Sequence, residues 1–182
     1  MKALKEHRRL LAGIGLAALL LSFALIKWRQ LDAMTLLRYL LLLAAGYCAS
    51  LSDLRERLVP NVLMLLMLAA WVLWMGAFAL VRWEEFLRLL LQSLAGGLVL
   101  GLAALVVYLL SRKGLGGGDV KFLAAAGLYL TVGPGLTAVI LGTVLSAVTA
   151  LVLMALRKLS VRDTIPLIPF LYAGILTVAF FA

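Results

Sequence analysis

Long apolar blocks separated by short charged or Gly/Pro-containing links run the whole length of this chain. Most of the blocks are roughly 17 to 22 residues long, which is the length that an α-helix needs to cross about 30 Å of hydrocarbon. Hydrophobic residues make up 65% of the 182 residues, whereas soluble domains are about half apolar. The sequence therefore predicts an all-α polytopic membrane protein.

Seven spans are predicted, and the links between them are short. The fifth span, of roughly 13 residues, rises only about 20 Å as a helix, so we expect it to be recessed or to begin from a loop that dips into the membrane. The first span follows a basic start but no small-x-small cleavage site, which predicts a retained anchor. We expect residues 1–35 to form a basic tail, one transmembrane helix and a linker, and residues 36–182 to form a six-helix core. The predicted spans are 10–26, 36–52, 59–81, 88–110, 120–132, 136–156 and 165–181.

The formal net charge of +9 does not indicate a nucleic-acid-binding surface, because the basic residues are scattered over the ends of the apolar blocks. Basic residues at span ends indicate topology instead. With the N-terminus in the cytoplasm, twelve of the 17 Lys and Arg residues fall on the cytoplasmic side, as the positive-inside rule favours. The five that fall outside are Lys27, Arg29, Arg38, Arg82 and Arg88.

Two acids at span ends are candidate catalytic residues. Asp119 follows three glycines in the segment GGGDVK at 116–121, and Asp53 ends the second predicted span. The two strongest spans separate them, so both acids lie on the same side of the membrane, which the charge count makes cytoplasmic. Two structural interpretations stay open: Asp119 could cap a helix, and Asp53 could be solvated among neighbouring arginines.

Two converging carboxylates can share a proton, because like charges a few ångströms apart do not both ionise cheaply. One can then act as a base towards water and the other as an acid towards a scissile carbonyl. Other peptidase chemistries lack their residues: His7, in the N-terminal tail, is the one histidine, and Cys48 is the one cysteine. The sequence therefore has neither a His-Glu-x-x-His metal site nor a core histidine to serve a nucleophile.

Three motifs in this order resemble those of the type IV prepilin peptidases, polytopic aspartic peptidases that include short Tad-system and archaeal preflagellin-processing forms. Asp53 is followed by a hydrophobic-Pro-Asn step at 59–61. Residues 116–127, GGGDVKFLAAAG, resemble the G-x-G-D-x-K motif with its downstream glycine. Residues 165–171, IPLIPFL, together with Gly174 resemble the last-helix pattern I-P-F-G-P-x-L.

The resemblance implies an aspartic endopeptidase that works without a metal or a cofactor. The implied substrate is a prepilin-like protein (type IV pilin, pseudopilin or Tad pilin) whose short basic leader precedes an apolar helix. Cleavage would take place at the cytoplasmic face of the inner membrane, in a multi-pass enzyme whose partners are this substrate and the lipid bilayer, with no nucleic acid. Lys121 is expected to support the loop or the electrostatics of the acids and not to react. The implied catalytic pair is Asp53 and Asp119, with Gly116, Gly118, Lys121, Pro60 and Asn61 as supporting residues.

The sequence departs from the family pattern at three places. Val59 stands where isoleucine is usual, and Leu167 and Ile168 replace the usual Phe-Gly. The cytoplasmic insert with two Cys-x-x-Cys pairs, which larger members carry, is missing. We therefore expect a peptidase without the zinc-binding insert and without methyltransferase activity.

Three alternatives remain at this stage. A transporter could use Asp53 and Asp119 as a proton relay, and a non-catalytic pilus-assembly protein would need neither acid. The presenilin-like intramembrane proteases also contain G-x-G-D, but they pair it with Tyr-Asp, whereas Ser52 precedes Asp53 here.

Overall fold

The computed structural model describes residues 2–111, 115–158, 160 and 165–181, with side chains from residue 10 onwards. Seven α-helices and no strands occur in these ranges, which confirms the prediction of an all-α polytopic protein. Arg112, Lys113 and Arg162, and the side chains of Lys2, Lys5, Arg8 and Arg9, belong to the predicted cytoplasmic set and lie outside the described part. The helices are α1 (Lys2–Lys27), α2 (Ala33–Glu56), α3 (Asn61–Val81), α4 (Trp83–Leu110), α5 (Gly117–Leu130), α6 (Val132–Ala155) and α7 (Ile168–Phe181).

Five of the helices, α1, α2, α3, α4 and α6, are long and apolar enough to cross a membrane. The other two, α5 and α7, have 14 residues each and rise only about 21 Å. The short fifth span was therefore predicted correctly. The seventh was predicted too long, because the helix begins at residue 168 and not at 165.

Proline placement explains where the last two helices begin. Pro134 lies in the first turn of α6, and Pro169 in the first turn of α7. Proline is tolerated there because the missing N–H would have no partner within the helix. The link between α5 and α6 is the single residue Thr131, whose φ of 66° lies in the left-handed region. The GPG segment at 133–135 lies inside α6, which begins at residue 132 and not at the predicted 136.

Glycines let the helices approach closely at two interfaces. A Cβ on Gly127 of α5 would lie 2.5 Å from the carbonyl oxygen of Gly96 on α4. A Cβ on Gly142 of α6 would lie 2.7 Å from the Cα of Leu171 on α7. Small residues at such crossings are typical of membrane helices, which associate through close packing.

The short helix α5 is the most enclosed element of the bundle, and it contacts α2, α3, α4 and α6. Phe122 and Ala126 are almost completely buried. Tyr129 donates a hydrogen bond from its hydroxyl to the carbonyl oxygen of Met67 at 2.7 Å. These contacts fix α5 in the centre, and with it the acid in its first turn.

Candidate active site

Asp53 lies in the last turn of α2, where it is 6% exposed. The helix continues past the predicted end at residue 52 and stops at Glu56. Arg57 adopts a left-handed conformation with φ 53° and donates its N–H to the carbonyl oxygen of Asp53 at 2.9 Å. This is a common way for a helix to end, and it places the carboxyl group at the end of the bundle where α3 begins.

The carboxylate of Asp53 receives a hydrogen bond from the beginning of α7. The backbone N–H of Ile168 donates to Oδ2 at 3.1 Å. The first N–H groups of a helix have no partner inside it, and Pro169, the next residue, has no N–H at all. Asp53 therefore supplies, from another helix, the acceptor that an N-capping side chain would supply locally.

Asp119 is the third residue of α5 and binds the residue that precedes this helix. The backbone N–H of Gly116 donates to Oδ2 of Asp119 at 3.0 Å, and the N–H of Asp119 donates to the carbonyl oxygen of Gly116 at 3.1 Å. The first of these bonds is half of a capping box, whose other half would need a side chain on Gly116, and the second is a backbone bond of the first helical turn. The capping interpretation is therefore correct as a description of the contact, and it does not exclude a chemical role.

Close approach, and not unusual backbone geometry, explains two of the three glycines. A Cβ on Gly116 would lie 3.1 Å from Oδ2 of Asp119, the atom to which the Gly116 N–H donates. The described glycines have no positive φ. A Cβ on Gly118 would lie 3.2 Å from the Cβ of Val59, whereas a Cβ on Gly117 would meet nothing within 4 Å. Gly118 therefore lets the beginning of α5 approach the α2–α3 link.

The two acids are electrostatically coupled. Burial raises the pKa of Asp119 to about 6, the Gly116 N–H opposes this shift, and the charge of Asp53 adds to it. Such an influence requires proximity, and α2 contacts α5 directly. At pH values below about 6, the site therefore holds a protonated carboxyl at Asp119.

The supporting residues connect the first two motifs. Lys121 donates a hydrogen bond from Nζ to Oδ1 of Asn61 at 2.9 Å, which joins α5 to the first residue of α3. Pro60 directly precedes α3, and its carbonyl oxygen accepts from the N–H of Leu63 at 3.0 Å. Lys121 therefore contacts the motif that contains Asn61.

A model of the type IV leader peptidase family matches residues 39–155, which is more than half of the chain. The chain belongs to this family. The matched range contains Asp53, Asn61, Asp119 and Lys121 and ends with α6, so α7 lies beyond it. Neither the curated proteins nor the solved structures gave a match.

In this leader peptidase family member, the sequence did not reveal that α7 contacts Asp53. The contact uses the backbone N–H of Ile168, so the substitution of Phe-Gly by Leu167 and Ile168 leaves the donor in place. The two prolines of the IPLIPF segment were an available signal, since proline near a helix start predicts where the unpaired N–H groups lie.

Metal ligands are sparse in the part of the peptidase that the structure describes. No group of three or more His, Cys, Asp or Glu side chains there could hold a metal ion. Cys48 is exposed on α2. The convergent groups of this site are the two carboxyls and the two backbone donors that hold them.

Proposed function

We propose that this peptidase is an aspartic endopeptidase that removes the basic leader from prepilin-like precursors at the cytoplasmic face of the inner membrane. The observation that carries the proposal is the coupling of Asp53 and Asp119, in which the charge of Asp53 contributes to the raised pKa of Asp119. A carboxyl that is protonated below about pH 6, beside an ionised one, is the arrangement that acid–base catalysis by two carboxyls requires.

The hydrogen bonds assign a role to each acid. Burial favours the neutral form of both acids, and at Asp119 the charge of Asp53 adds to this effect. At Asp53 the effect of burial is opposed by the N–H of Ile168 and by the charge of Arg57, and the positive end of α7 also favours the carboxylate form. Asp53 is therefore assigned as the base and Asp119 as the acid. In both residues Oδ2 accepts a backbone N–H, which assigns Oδ1 to the reaction.

The reaction then proceeds in two steps. Oδ1 of Asp53 takes a proton from a water molecule whose oxygen attacks the scissile carbonyl, while Asp119 donates its proton to the carbonyl oxygen. Collapse of the resulting gem-diol breaks the C–N bond, the proton held by Asp53 goes to the leaving amine, and the proton on the diol oxygen returns to Asp119. Water is the nucleophile, so no covalent intermediate forms.

An apolar groove next to the site supports a substrate with an apolar helix. A cavity of about 180 Å³ between α4 and α6 is lined at one end by Leu115 and Leu167. Leu115 precedes Gly116 and Leu167 precedes Ile168, the two residues whose N–H groups hold the acids. A substrate helix lying in this groove would bring the residues that precede it to the two carboxyls.

The leader of such a substrate would remain in the cytoplasm, where the peptide bond meets the acids at the end of the bundle. We propose peptidase activity alone, because the sequence has a single cysteine and none of the Cys-x-x-Cys pairs of the larger members that also methylate. Only the leader and the shortened subunit are expected as products.

A co-expression experiment tests the proposal. Asp53→Asn and Asp119→Asn should each abolish the shift of a prepilin-like substrate to its shorter form in membranes. Asp32→Asn is the matched control, because Asp32 precedes α2 at the opposite end of the bundle. Continued processing by either active-site variant would refute the aspartic mechanism.

A further inference from the structure

A polar cavity lies at the end of the bundle opposite the two acids. Its volume is about 340 Å³, and it is formed by the beginning of α2 and the link between α3 and α4. Arg38, Arg82 and Arg88 line it together with Thr35 and Gln92. These three arginines are among the five basic residues that the positive-inside rule leaves on the outer side, so their position needs an explanation other than topology.

Of the three arginines, Arg38 has the most unusual environment. It lies one to two turns into α2, within a candidate membrane span, where an arginine is costly and usually functional. The guanidinium Cζ lies 5.4 Å from the ring centre of Tyr39 and 5.6 Å from that of Trp74. Both rings are almost completely buried, so the guanidinium is backed by aromatic surface.

The hydrogen-bonding capacity of Arg38 is incompletely used. Its Nε is buried and has no hydrogen-bond partner within the described ranges of the chain. Leaving a buried donor unpaired costs about 1 to 3 kcal/mol, more for a charged group. Arg38 also lines the open cavity, so acceptor oxygens of a ligand there would add hydrogen-bond partners for its guanidinium group.

The two acids of the cavity lie close to Arg82, which lines the same cavity. Oδ2 of Asp32 accepts the N–H of Thr35 at 3.1 Å and lies 3.8 Å from a guanidinium nitrogen of Arg82. Glu85 lies 3.6 Å from the other terminal nitrogen of Arg82. The charge of Asp32 also acts on Arg38. Three arginines against two carboxylates leave the lining of the cavity with one net positive charge, which favours an anion.

From this arrangement we propose that the cavity binds a phosphate group, supplied by the headgroup of a membrane phospholipid. The planar guanidinium fork matches the geometry of phosphate oxygens. Leu80 and Leu87, which flank the α3–α4 link, are 91% and 63% exposed. They provide an apolar path for the acyl chains of the same lipid.

The test measures lipid binding to the delipidated full-length chain by native mass spectrometry. Phosphatidylglycerol should bind, and diacylglycerol, which has the same chains without the phosphate, should not. Arg38→Gln should weaken phosphatidylglycerol binding at least about tenfold, the loss expected for a charge-assisted hydrogen bond. Arg29→Gln is the matched control, because it removes one exposed charge at the same end of the bundle but outside the cavity.

Arg88→Gln is a second test in case Arg38→Gln does not fold. Arg88 is exposed, so its substitution should leave the fold intact. It should also weaken phosphatidylglycerol binding. Competition with inorganic phosphate distinguishes a lipid headgroup from free phosphate as the ligand. Displacement of the lipid at millimolar phosphate would show that phosphate alone fills the site, and retention would show that the lipid is the ligand. Equal binding of diacylglycerol, or equal binding by wild type and both cavity variants, would overturn the proposal.

Discussion

The backbone N–H of Ile168 donates a hydrogen bond to Oδ2 of Asp53 at 3.1 Å, across 115 residues of sequence. This bond connects the last helix to the acid at the end of the second one. Through this bond α7 contributes to the site. A comparison of side chains alone would miss this contribution, because the donor is a main-chain N–H.

Removing this donor should lower activity. Ile168→Pro deletes the N–H at a helix position where proline is otherwise well tolerated, and loss of a hydrogen bond to a charged group costs about 1.5 to 3 kcal/mol. We therefore expect the rate of leader cleavage to fall by roughly 10- to 150-fold. Purified variants assayed on a prepilin-like substrate would measure this fall.

Ile168→Ala is the control for that substitution, because it keeps the N–H. It removes an almost completely buried side chain, so the free energy of unfolding should decrease by about 2 to 5 kcal/mol. Folded Ile168→Ala protein should keep most of its activity. Equal activity losses in the two variants would show that the side chain, and not the donor, matters.

The pH dependence of leader cleavage should follow the titration of Asp119. Its pKa is raised to about 6, first by burial and further by Asp53, and the acid must be protonated, which holds only below that pKa. We therefore expect kcat/KM, which reports the free enzyme, to decrease as the pH rises through about 6. A rate that increases over that range would contradict the assignment of Asp119 as the acid.

Asp53→Asn provides a second measurement of the same coupling. It removes the charge contribution to the raised pKa of Asp119 and leaves burial in place. The pKa of Asp119 should therefore fall in this variant, as infrared titration of the protonated carboxyl can show. An unchanged titration would mean that the two acids do not interact.

Alanine substitutions at Gly118 and Gly117 should have different effects on stability and on turnover. A Cβ at Gly118 would lie 3.2 Å from the Cβ of Val59, while one at Gly117 meets open space. Alanine is favoured over glycine in helices by about 1 kcal/mol, so Gly117→Ala should be neutral or stabilising. Gly118→Ala should push α5 from the α2–α3 link and reduce turnover, which thermal unfolding and cleavage assays would resolve. Identical behaviour of the two variants would argue against close approach as the role of Gly118.

Lys121 and Asn61 should act as a pair. Each single change, Lys121→Met or Asn61→Ala, removes the 2.9 Å hydrogen bond between them. The double variant should lose little more cleavage activity than either single one, with a coupling energy of about 0.5 to 1.5 kcal/mol. Additive losses in this double-mutant cycle would mean that Lys121 works on something other than Asn61.

The sequence predicted the fold class and all seven helices, because apolar block length is a strong signal in a membrane protein. It was less accurate at the starts of α6 and α7, which begin at residue 132 and not at 136, and at residue 168 and not at 165. Pro134 lies inside α6 and not before it. Proline restricts the chain but is compatible with a first helical turn as well as with a turn, so residue type alone did not decide between the two.

The sequence predicted that the two acids of the candidate site lie together, and their catalytic role stays a prediction. Asp53 and Asp119 were expected on one side of the membrane, and the bundle brings them close enough to interact. The contacts of Gly118 with Val59 and of Ile168 with Asp53 depend on how distant helices pack. Neither contact has a local sequence period that would predict it. The prolines of the IPLIPF segment indicate where α7 has unpaired N–H groups but not which acceptor these groups meet.

The central claim is that Asp53 and Asp119 act as one unit. The most direct measurement is the single-turnover cleavage rate of a prepilin-like substrate in proteoliposomes with wild type, Asp53→Asn, Asp119→Asn and the double variant. Residues that act together are strongly non-additive, so the double variant should be no slower than the slower single one, and all three should lose at least about a thousandfold. Substantial cleavage by either single variant, or multiplicative losses in the double variant, would contradict the claim.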